Sequence, residues 1–128
     1  MNEKVIKKLI QKAKEASKNS YSHYSGYSVG ASLLTKEGKI FTGTNIENAS
    51  YGSTICAERV AIFSAISEGY KDFEALAVYS KTGGMTCANC LQVISEFSKD
   101  LNIIVASDLD YKIYKFSELL PYQFKLKK

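Results

Sequence analysis

The sequence contains no apolar run long enough to cross a bilayer or to form the core of a signal peptide. Hydrophobic residues nevertheless make up 45% of its 128 residues, which excludes a disordered chain and is enough for a buried core. The length predicts one domain, residues 1–128, because domains commonly hold about 100–200 residues. We therefore expect a single-domain cytoplasmic protein that has no membrane partner.

Cysteine is scarce, and the sequence has three of these residues. An odd number does not suit a framework of paired disulfides, and a reducing cytosol disfavours disulfides altogether. The pattern favours metal binding or catalysis as the use of these cysteines. The pattern therefore directs attention to what lies around Cys56, Cys87 and Cys90.

Arginine is rarer still, because 16 of the 17 basic residues are lysines and Arg59 is the single arginine. The lysines are scattered, apart from small clusters on the first predicted helix and in the tail at Lys125, Lys127 and Lys128. A net charge of +4 without a basic face or interleaved aromatic and basic residues does not predict a nucleic-acid partner. We interpret the lysines as solvated surface residues.

Hydrophobic periodicity predicts alternating helices and strands. Residues 3–18 show the three- and four-residue spacing of an amphipathic helix, and a Tyr/Ser-rich loop follows at 19–28. The remaining expectations are strands at 29–35, 39–43, 74–80, 102–106 and 111–115, and helices at 55–68, 87–97 and 117–120, the last stopped by Pro121. This order predicts an α/β protein with helices on both faces of one sheet.

The three cysteines are placed near predicted helix starts. Cys56 begins one helix, Cys87 and Cys90 begin another, and Thr54 and Thr86 are the expected N-caps. The free N–H groups and partial positive charge of a helix N-terminus stabilise thiolates. Three thiolates suit zinc, and three protein ligands leave a fourth position open, as in catalytic zinc sites.

Three other side chains bear on this predicted site. Glu58, two residues after Cys56, can reach a metal beyond the helix end as a proton-transfer base, although it could also be a favourable first-turn carboxylate. Arg59 can donate to thiolate sulfur and offset the net negative charge of zinc with three thiolates, where the alternative is a surface ion pair. The only histidine, His23, would close the site as a fourth ligand, but we expect it to be exposed.

Several motifs together resemble the homotetrameric zinc-dependent cytidine deaminases. They are Y-S-V-G-A-S-L-L, T-N-I-E-N-A-S-Y-G, C-A-E-R, C-x-x-C-x-Q and E-L-L-P, between about Tyr21 and Phe124. The resemblance implies a three-layer α/β/α cytidine deaminase-like fold with a mixed central sheet of about five strands. It further implies hydrolytic deamination of cytidine and 2′-deoxycytidine in pyrimidine salvage, with one zinc per chain.

The resemblance also assigns roles to individual residues. Cys56, Cys87 and Cys90 would bind zinc, and Glu58 would shuttle protons. The expected substrate-binding residues are Asn45 and Glu47 for the ribose, Ala57 and Tyr27 for the pyrimidine, Tyr51 near a subunit junction, and Phe124, which would reach a neighbouring subunit's site. Plain core packing is the alternative for each aromatic residue. A homotetramer with shared active sites follows from these assignments.

Some positions depart from the family pattern. Thr86, Ala88, Asn89 and Leu91 replace the usual Pro, Gly, Ala and Arg, and Leu91 removes a positive charge near the thiolates. If residue 91 pointed back toward the sulfurs, a Leu91→Arg change would restore that charge. Two other functions stay open: deamination of another aminopyrimidine such as blasticidin S, and a non-catalytic zinc-stabilised binding protein. N-I-E-N-A disfavours the first and Glu58 the second, while the preference for ribose or deoxyribose stays undetermined.

Overall fold

The computed structural model describes residues 1–127, so the predicted tail lysine Lys128 lies outside the described residues. The chain forms four α-helices and five strands within that range. In chain order they are α1 (Glu3–Ser17), β1 (Gly30–Thr35), β2 (Ile40–Thr44), α2 (Ala57–Ser67), β3 (Phe73–Tyr79), α3 (Ala88–Phe97), β4 (Asn102–Ala106), β5 (Tyr111–Lys115) and α4 (Phe116–Leu119). All the predicted elements are present within one or two residues of their expected bounds. A short 3₁₀ turn at Tyr51–Ser53, in the segment predicted to be irregular, was not expected.

The five strands form one mixed sheet in the order β2-β1-β3-β4-β5. The β3–β4 pair is parallel, and the other three pairs are antiparallel. β3 therefore lies at the centre, and its carboxyl end, Tyr79, pairs with Ala106 at the carboxyl end of β4. Loops that leave this edge of the sheet, including the one that leads to Cys87, start from a rigid base.

Helices cover both faces of this sheet. On one face α1 buries Ile6, Leu9 and Ala13 against alanines and other apolar side chains of β3 and β4. On the other face α2 and α3 bury a larger cluster that includes Ile62 and Ile94. The predicted three-layer α/β/α arrangement is thereby confirmed. α2 is buried on the face that lies over the sheet, whereas its apolar Phe63 is 44% exposed on another face.

Gly43 allows α2 to approach the sheet closely. A Cβ atom at this position of β2 would lie 2.5 Å from both the Ala57 carbonyl oxygen and the Ala61 backbone nitrogen. Such contacts are too short to be accommodated without moving the backbone. The absence of a side chain at Gly43 therefore fixes how near the first turn of α2, which follows Cys56, can come to β2.

The N-caps of α2 and α3 differ from the prediction. The capping residues are Cys56 and Cys87, and neither side chain makes a capping hydrogen bond. Thr54 and Thr86 lie outside the helices, and the Thr54 hydroxyl instead accepts the backbone N–H of Asn48. The prediction of threonine caps was wrong because a short extended segment separates each threonine from the first helical turn. The cysteine sulfurs consequently lie directly at the two helix starts.

Within residues 1–127, no helix has both the length and the apolarity needed to span a bilayer.

Candidate active site

The three cysteine sulfurs lie together at the N-termini of α2 and α3. Cys56 Sγ is 3.7 Å from Cys87 Sγ, and Cys87 Sγ is 3.6 Å from Cys90 Sγ. A tetrahedral zinc with Zn–S bonds of about 2.3 Å requires ligand sulfurs about 3.8 Å apart. The spacing therefore fits a zinc ion bound by three thiolates. Among the described residues, this is the only group of three or more His, Cys, Asp or Glu side chains close enough to hold a metal ion.

The electrostatic surroundings favour a thiolate at Cys56. Interaction with the Cys90 thiol, and then with Arg59, lowers the pKa of Cys56 to about 5 although partial burial opposes the shift. The same interaction with Cys56, together with burial, raises the pKa of Cys90. Ionisation is therefore favoured at Cys56 and opposed at Cys90. A cation that binds all three sulfurs as thiolates must displace the remaining thiol protons.

Arg59 approaches the sulfur cluster from α2. Its Nη2 donates to Cys56 Sγ at 3.6 Å, and this interaction is the main cause of a raised Arg59 pKa. Its Nε is buried and has no hydrogen-bond partner. The guanidinium therefore remains charged beside the sulfurs. Its contact with sulfur, rather than with a surface carboxylate, is the geometry expected of a residue that offsets thiolate charge.

Glu58 is buried in the first turn of α2, with 4% of its surface exposed. Burial raises its pKa to about 7, and the negative charge on Cys56 adds to the rise. Nearby Thr86 acts in the opposite direction on that pKa, although its buried hydroxyl makes no hydrogen bond of normal geometry. A carboxyl group with a pKa near neutrality can both accept and release a proton at physiological pH, as a general acid–base catalyst must.

A cavity of about 290 Å³ connects these groups to solvent. Seven of the residues predicted for the site line it: Tyr27, Asn45, Glu47, Cys56, Ala57, Glu58 and Cys87. The walls combine apolar side chains with a few polar groups, which is typical of small-molecule sites. Ala57, which is fully buried, forms part of the wall directly between Cys56 and Glu58.

Asn45 uses most of its hydrogen-bonding capacity to hold the wall of the cavity. Its Oδ1 accepts hydrogen bonds from Ser20 Oγ at 2.6 Å and from the Val29 N–H at 3.0 Å, and its Nδ2 donates to the Tyr27 carbonyl at 2.8 Å. One N–H of the amide remains free. The Asn45 side chain therefore fixes the Tyr/Ser-rich loop against the start of β1 and retains one donor for a ligand.

Glu47 performs a similar function for the tip of the same loop. Its Oε1 accepts the backbone N–H groups of Tyr24 at 2.8 Å and Ser25 at 3.0 Å, and its Oε2 accepts the Ser25 hydroxyl. These bonds, led by that of the Ser25 hydroxyl, lower the pKa of Glu47. The carboxylate is therefore ionised and directed along the cavity wall, with acceptor capacity left on its oxygens.

Cys90 and Arg59 lie behind the cavity wall, and three other residues considered for the site lie away from the cavity on the surface. Tyr51 is 76% exposed, and its ring lies 6.0 Å from that of Tyr24 over a neighbouring depression. Phe124 is 68% exposed beside the end of α3. His23 is also exposed; it stacks on Tyr21 and meets Tyr24 edge to face, and it does not join the sulfurs. Within one chain, Tyr51 and Phe124 therefore do not form part of the cavity.

Leu91 does not point toward the sulfurs. It is 8% exposed and belongs to the apolar cluster beneath α2 and α3, together with Ile94 and Leu101. The expectation that Leu91→Arg would return a charge to the thiolates is therefore wrong. Arginine at this position would place an unpaired guanidinium in the core, which is strongly unfavourable.

Sequence reasoning missed several residues that line the cavity, of which Ser80 and Met85 come from the loop after β3 and Ile55 from the segment before α2. Ser80 is the most informative because it is 2% exposed and bonded to Tyr27. Its position directly after the buried strand β3 could have indicated a role in the site. Ligands of α/β proteins commonly bind at the carboxyl ends of such strands.

Comparisons with known proteins agree with this geometry. Residues 3–106 match the family model described as the cytidine and deoxycytidylate deaminase zinc-binding region. The chain is 42% identical to a cytidine deaminase of Sporosarcina psychrophila, covering 93% of this chain and 90% of the relative. It is 43% identical to a cytidine deaminase of Halalkalibacterium halodurans, covering 91% of each. It also resembles the crystal structure of a cytidine deaminase from Burkholderia pseudomallei, with a TM-score of 0.88, 41% identity, and 97% and 100% of the two chains covered.

Proposed function

Because the chain belongs to the cytidine and deoxycytidylate deaminase family, we propose that it deaminates cytidine and 2′-deoxycytidine to the corresponding uridines with release of ammonia. The observation that carries this proposal is the buried Glu58 carboxyl group, which lines the same cavity as the sulfurs of Cys56 and Cys87. A zinc ion with a purely structural role would not require a carboxyl group of raised pKa beside it.

In this proposal Cys56, Cys87 and Cys90 hold one zinc ion per chain. Three protein ligands leave one coordination position open, and the sulfur spacing already matches a tetrahedral site. When bound, zinc supplies a Lewis acid that makes water nucleophilic at neutral pH. Through its contact with Cys56, the positive charge of Arg59 offsets part of the negative charge of the three thiolates.

Glu58 handles the protons of the reaction. Its carboxylate accepts the proton that water loses as the new C4–O bond forms, and returns it to the ring nitrogen N3. It then takes the proton of the C4 hydroxyl as the C4=O bond forms, and passes that proton to the amino group as the C4–N bond breaks. Water is consumed and ammonia is released, so the carboxyl group ends in its starting state. A pKa of about 7 suits both directions of transfer.

The remaining cavity residues hold the nucleoside. Ala57 contributes backbone next to the pyrimidine, and the Tyr27 ring packs against the substrate. The free N–H of Asn45 and the ionised carboxylate of Glu47 supply a donor and an acceptor for ribose hydroxyls. Both side chains are held in place by hydrogen bonds to the loop they support, so they lose little conformational entropy when the nucleoside binds.

We further propose that the protein forms a homotetramer and works in the cytoplasm. Phe124 and Tyr51 are exposed and lie away from their own chain's cavity, which supports a homotetramer in which neighbouring subunits complete the sites. The three free thiols suit a reducing compartment, and we place the protein in the cytoplasm as a single-domain enzyme of pyrimidine salvage.

Zinc content and deamination measured on one purified sample test this function. We expect one zinc per chain and ultraviolet-monitored turnover of cytidine and deoxycytidine, with little turnover of blasticidin S. His23→Ala serves as the matched variant and should retain full zinc. A zinc-loaded protein that turns over none of the three compounds would overturn the enzymatic proposal, and preferred turnover of blasticidin S would change the substrate.

A further inference from the structure

The Tyr27 hydroxyl connects two loops that face each other across the cavity. It donates to Ser80 Oγ at 2.6 Å and lies 2.9 Å from Thr82 Oγ1. Tyr27 belongs to the loop between α1 and β1, whereas Ser80 and Thr82 belong to the loop between β3 and Cys87. In the described structure no other side-chain hydrogen bond joins these two loops. This bond therefore connects the substrate-facing wall to the chain segment that carries a cysteine of the sulfur cluster.

Ser80 is the point on which the second loop is organised. Its Oγ also accepts the backbone N–H groups of Gly83 at 3.1 Å and Gly84 at 3.0 Å. Its own backbone N–H donates to the Ala106 carbonyl at 3.2 Å, which anchors the residue to the end of β4. A single buried hydroxyl thus fixes both the fold of residues 80–84 and the position of Tyr27.

The opposite end of Tyr27 is equally constrained. Its backbone N–H donates to Ser25 Oγ at 3.0 Å, and its carbonyl accepts the Asn45 amide at 2.8 Å. Space around its hydroxyl is limited, since a Cβ at Gly84 would lie 2.8 Å from Tyr27 Oη. The ring can present its edge or face to the cavity, but its hydroxyl is already occupied by protein groups.

We propose that the Tyr27 hydroxyl and Ser80 form a latch that fixes the separation between the Tyr/Ser-rich loop and the loop before Cys87, and thereby positions the Tyr27 ring against the nucleoside. The inference rests on the proposed nucleoside deamination and adds Ser80 and Thr82 as positioning residues for it. The latch acts on substrate binding rather than on the bond-breaking steps. Its hydroxyl does not touch the substrate.

Steady-state kinetics of Tyr27→Phe and Ser80→Ala test the latch. Each variant should raise KM for cytidine about threefold to tenfold, the effect of one lost neutral hydrogen bond, with kcat changed less than twofold. The double variant should raise KM by less than the product of the two single factors, because the two changes share the Tyr27–Ser80 bond. Tyr70→Phe is the matched control: it removes a tyrosine hydroxyl remote from both loops and should leave KM unchanged.

Thr82 provides the conservative comparison. Thr82→Ser keeps a hydroxyl beside Tyr27 and should behave as wild type, whereas the nearly isosteric Thr82→Val should raise KM by a smaller factor than Ser80→Ala. If the KM factors of Tyr27→Phe and Ser80→Ala simply multiplied in the double variant, the two hydroxyls would act independently, and the latch would be overturned. A fall in kcat with unchanged KM would overturn it as well.

Hydrogen exchange of the substrate-free protein separates the latch from the proposed reaction. Backbone amides of residues 81–86 should exchange faster in both Tyr27→Phe and Ser80→Ala than in wild type or Tyr70→Phe. This outcome would support the latch even if cytidine were not the substrate. Unchanged exchange in both variants would refute it, whatever the activity of the protein.

Discussion

At the scale of single residues, Glu58 combines two features that water-exposed glutamates lack. It is buried, and it is close to a thiolate, so its pKa is raised to about 7. We expect Glu58→Gln to keep the fold and one zinc per chain but to lower kcat by about 10²–10⁴-fold, the usual contribution of a general acid–base group. Zinc analysis and turnover of cytidine on the same sample provide the measurement.

The exposed hairpin residue Glu37 gives the control for this change, because Glu37→Gln removes the same charge from a turn away from the cavity. It should have wild-type kcat. Near-normal turnover in Glu58→Gln would exclude the carboxylate from proton transfer.

Arg59 supplies a positive charge beside the sulfur cluster. Its Nη2 lies 3.6 Å from Cys56 Sγ, and no other arginine exists in the chain to replace it. We expect Arg59→Gln to lower zinc retention or kcat about 10–100-fold, the range typical of groups that support metal ligands. Competition for zinc with a chelator, followed by turnover of the reloaded protein, measures both effects.

Arg59→Lys keeps the charge without the planar donor fork and should be intermediate between wild type and Arg59→Gln. Lys99→Gln removes one positive charge elsewhere on the surface and should have no effect. If Arg59→Gln retained both zinc and turnover at wild-type levels, the guanidinium would not compensate the thiolates.

At the scale of elements, the close packing of α2 on β2 places Cys56 and Glu58. We expect Gly43→Ala to lower the free energy of unfolding by about 1–3 kcal/mol through overpacking, since its Cβ would lie 2.5 Å from backbone atoms of α2. It should also lower zinc content, because the helix start must move. Denaturant unfolding and metal analysis give the two readouts.

Gly52→Ala is the matched glycine substitution, since a Cβ there meets nothing within 4 Å. Its stability should equal that of wild type within about 0.5 kcal/mol, the usual range for surface changes. Equal stability of Gly43→Ala and wild type would show that α2 adjusts without cost.

At the scale of the whole molecule, the distance of Phe124 from its own cavity gives a test of shared sites. We expect light scattering to give a tetramer, and Phe124→Ala to raise KM without loss of zinc. Mixed tetramers of Glu58→Gln and Phe124→Ala subunits should then recover activity, because some sites combine an intact Glu58 with an intact Phe124 of a neighbour. A fully active monomer, or no recovery in the mixture, would contradict site sharing.

Local patterns in the sequence were sufficient for the order of the elements and for the C-x-x-C pair of the candidate metal site. Helical spacing in α1 and alternating or apolar runs in the strands depend on near neighbours, so periodicity predicts them. The C-x-x-C pair is likewise local, because one helical turn brings both sulfurs to the same helix end.

Tertiary structure alone decided how distant segments meet. The exact start of each helix against the sheet decided whether Leu91 faced the sulfurs or the core. It also decided whether Thr54 and Thr86 capped their helices. The Tyr27–Ser80 bond joins residues 53 positions apart, and no periodicity encodes such a contact. The sequence determined which chemical groups the protein has, whereas long-range packing determined which of them face the cavity, because burial and pKa depend on neighbours that are remote along the chain.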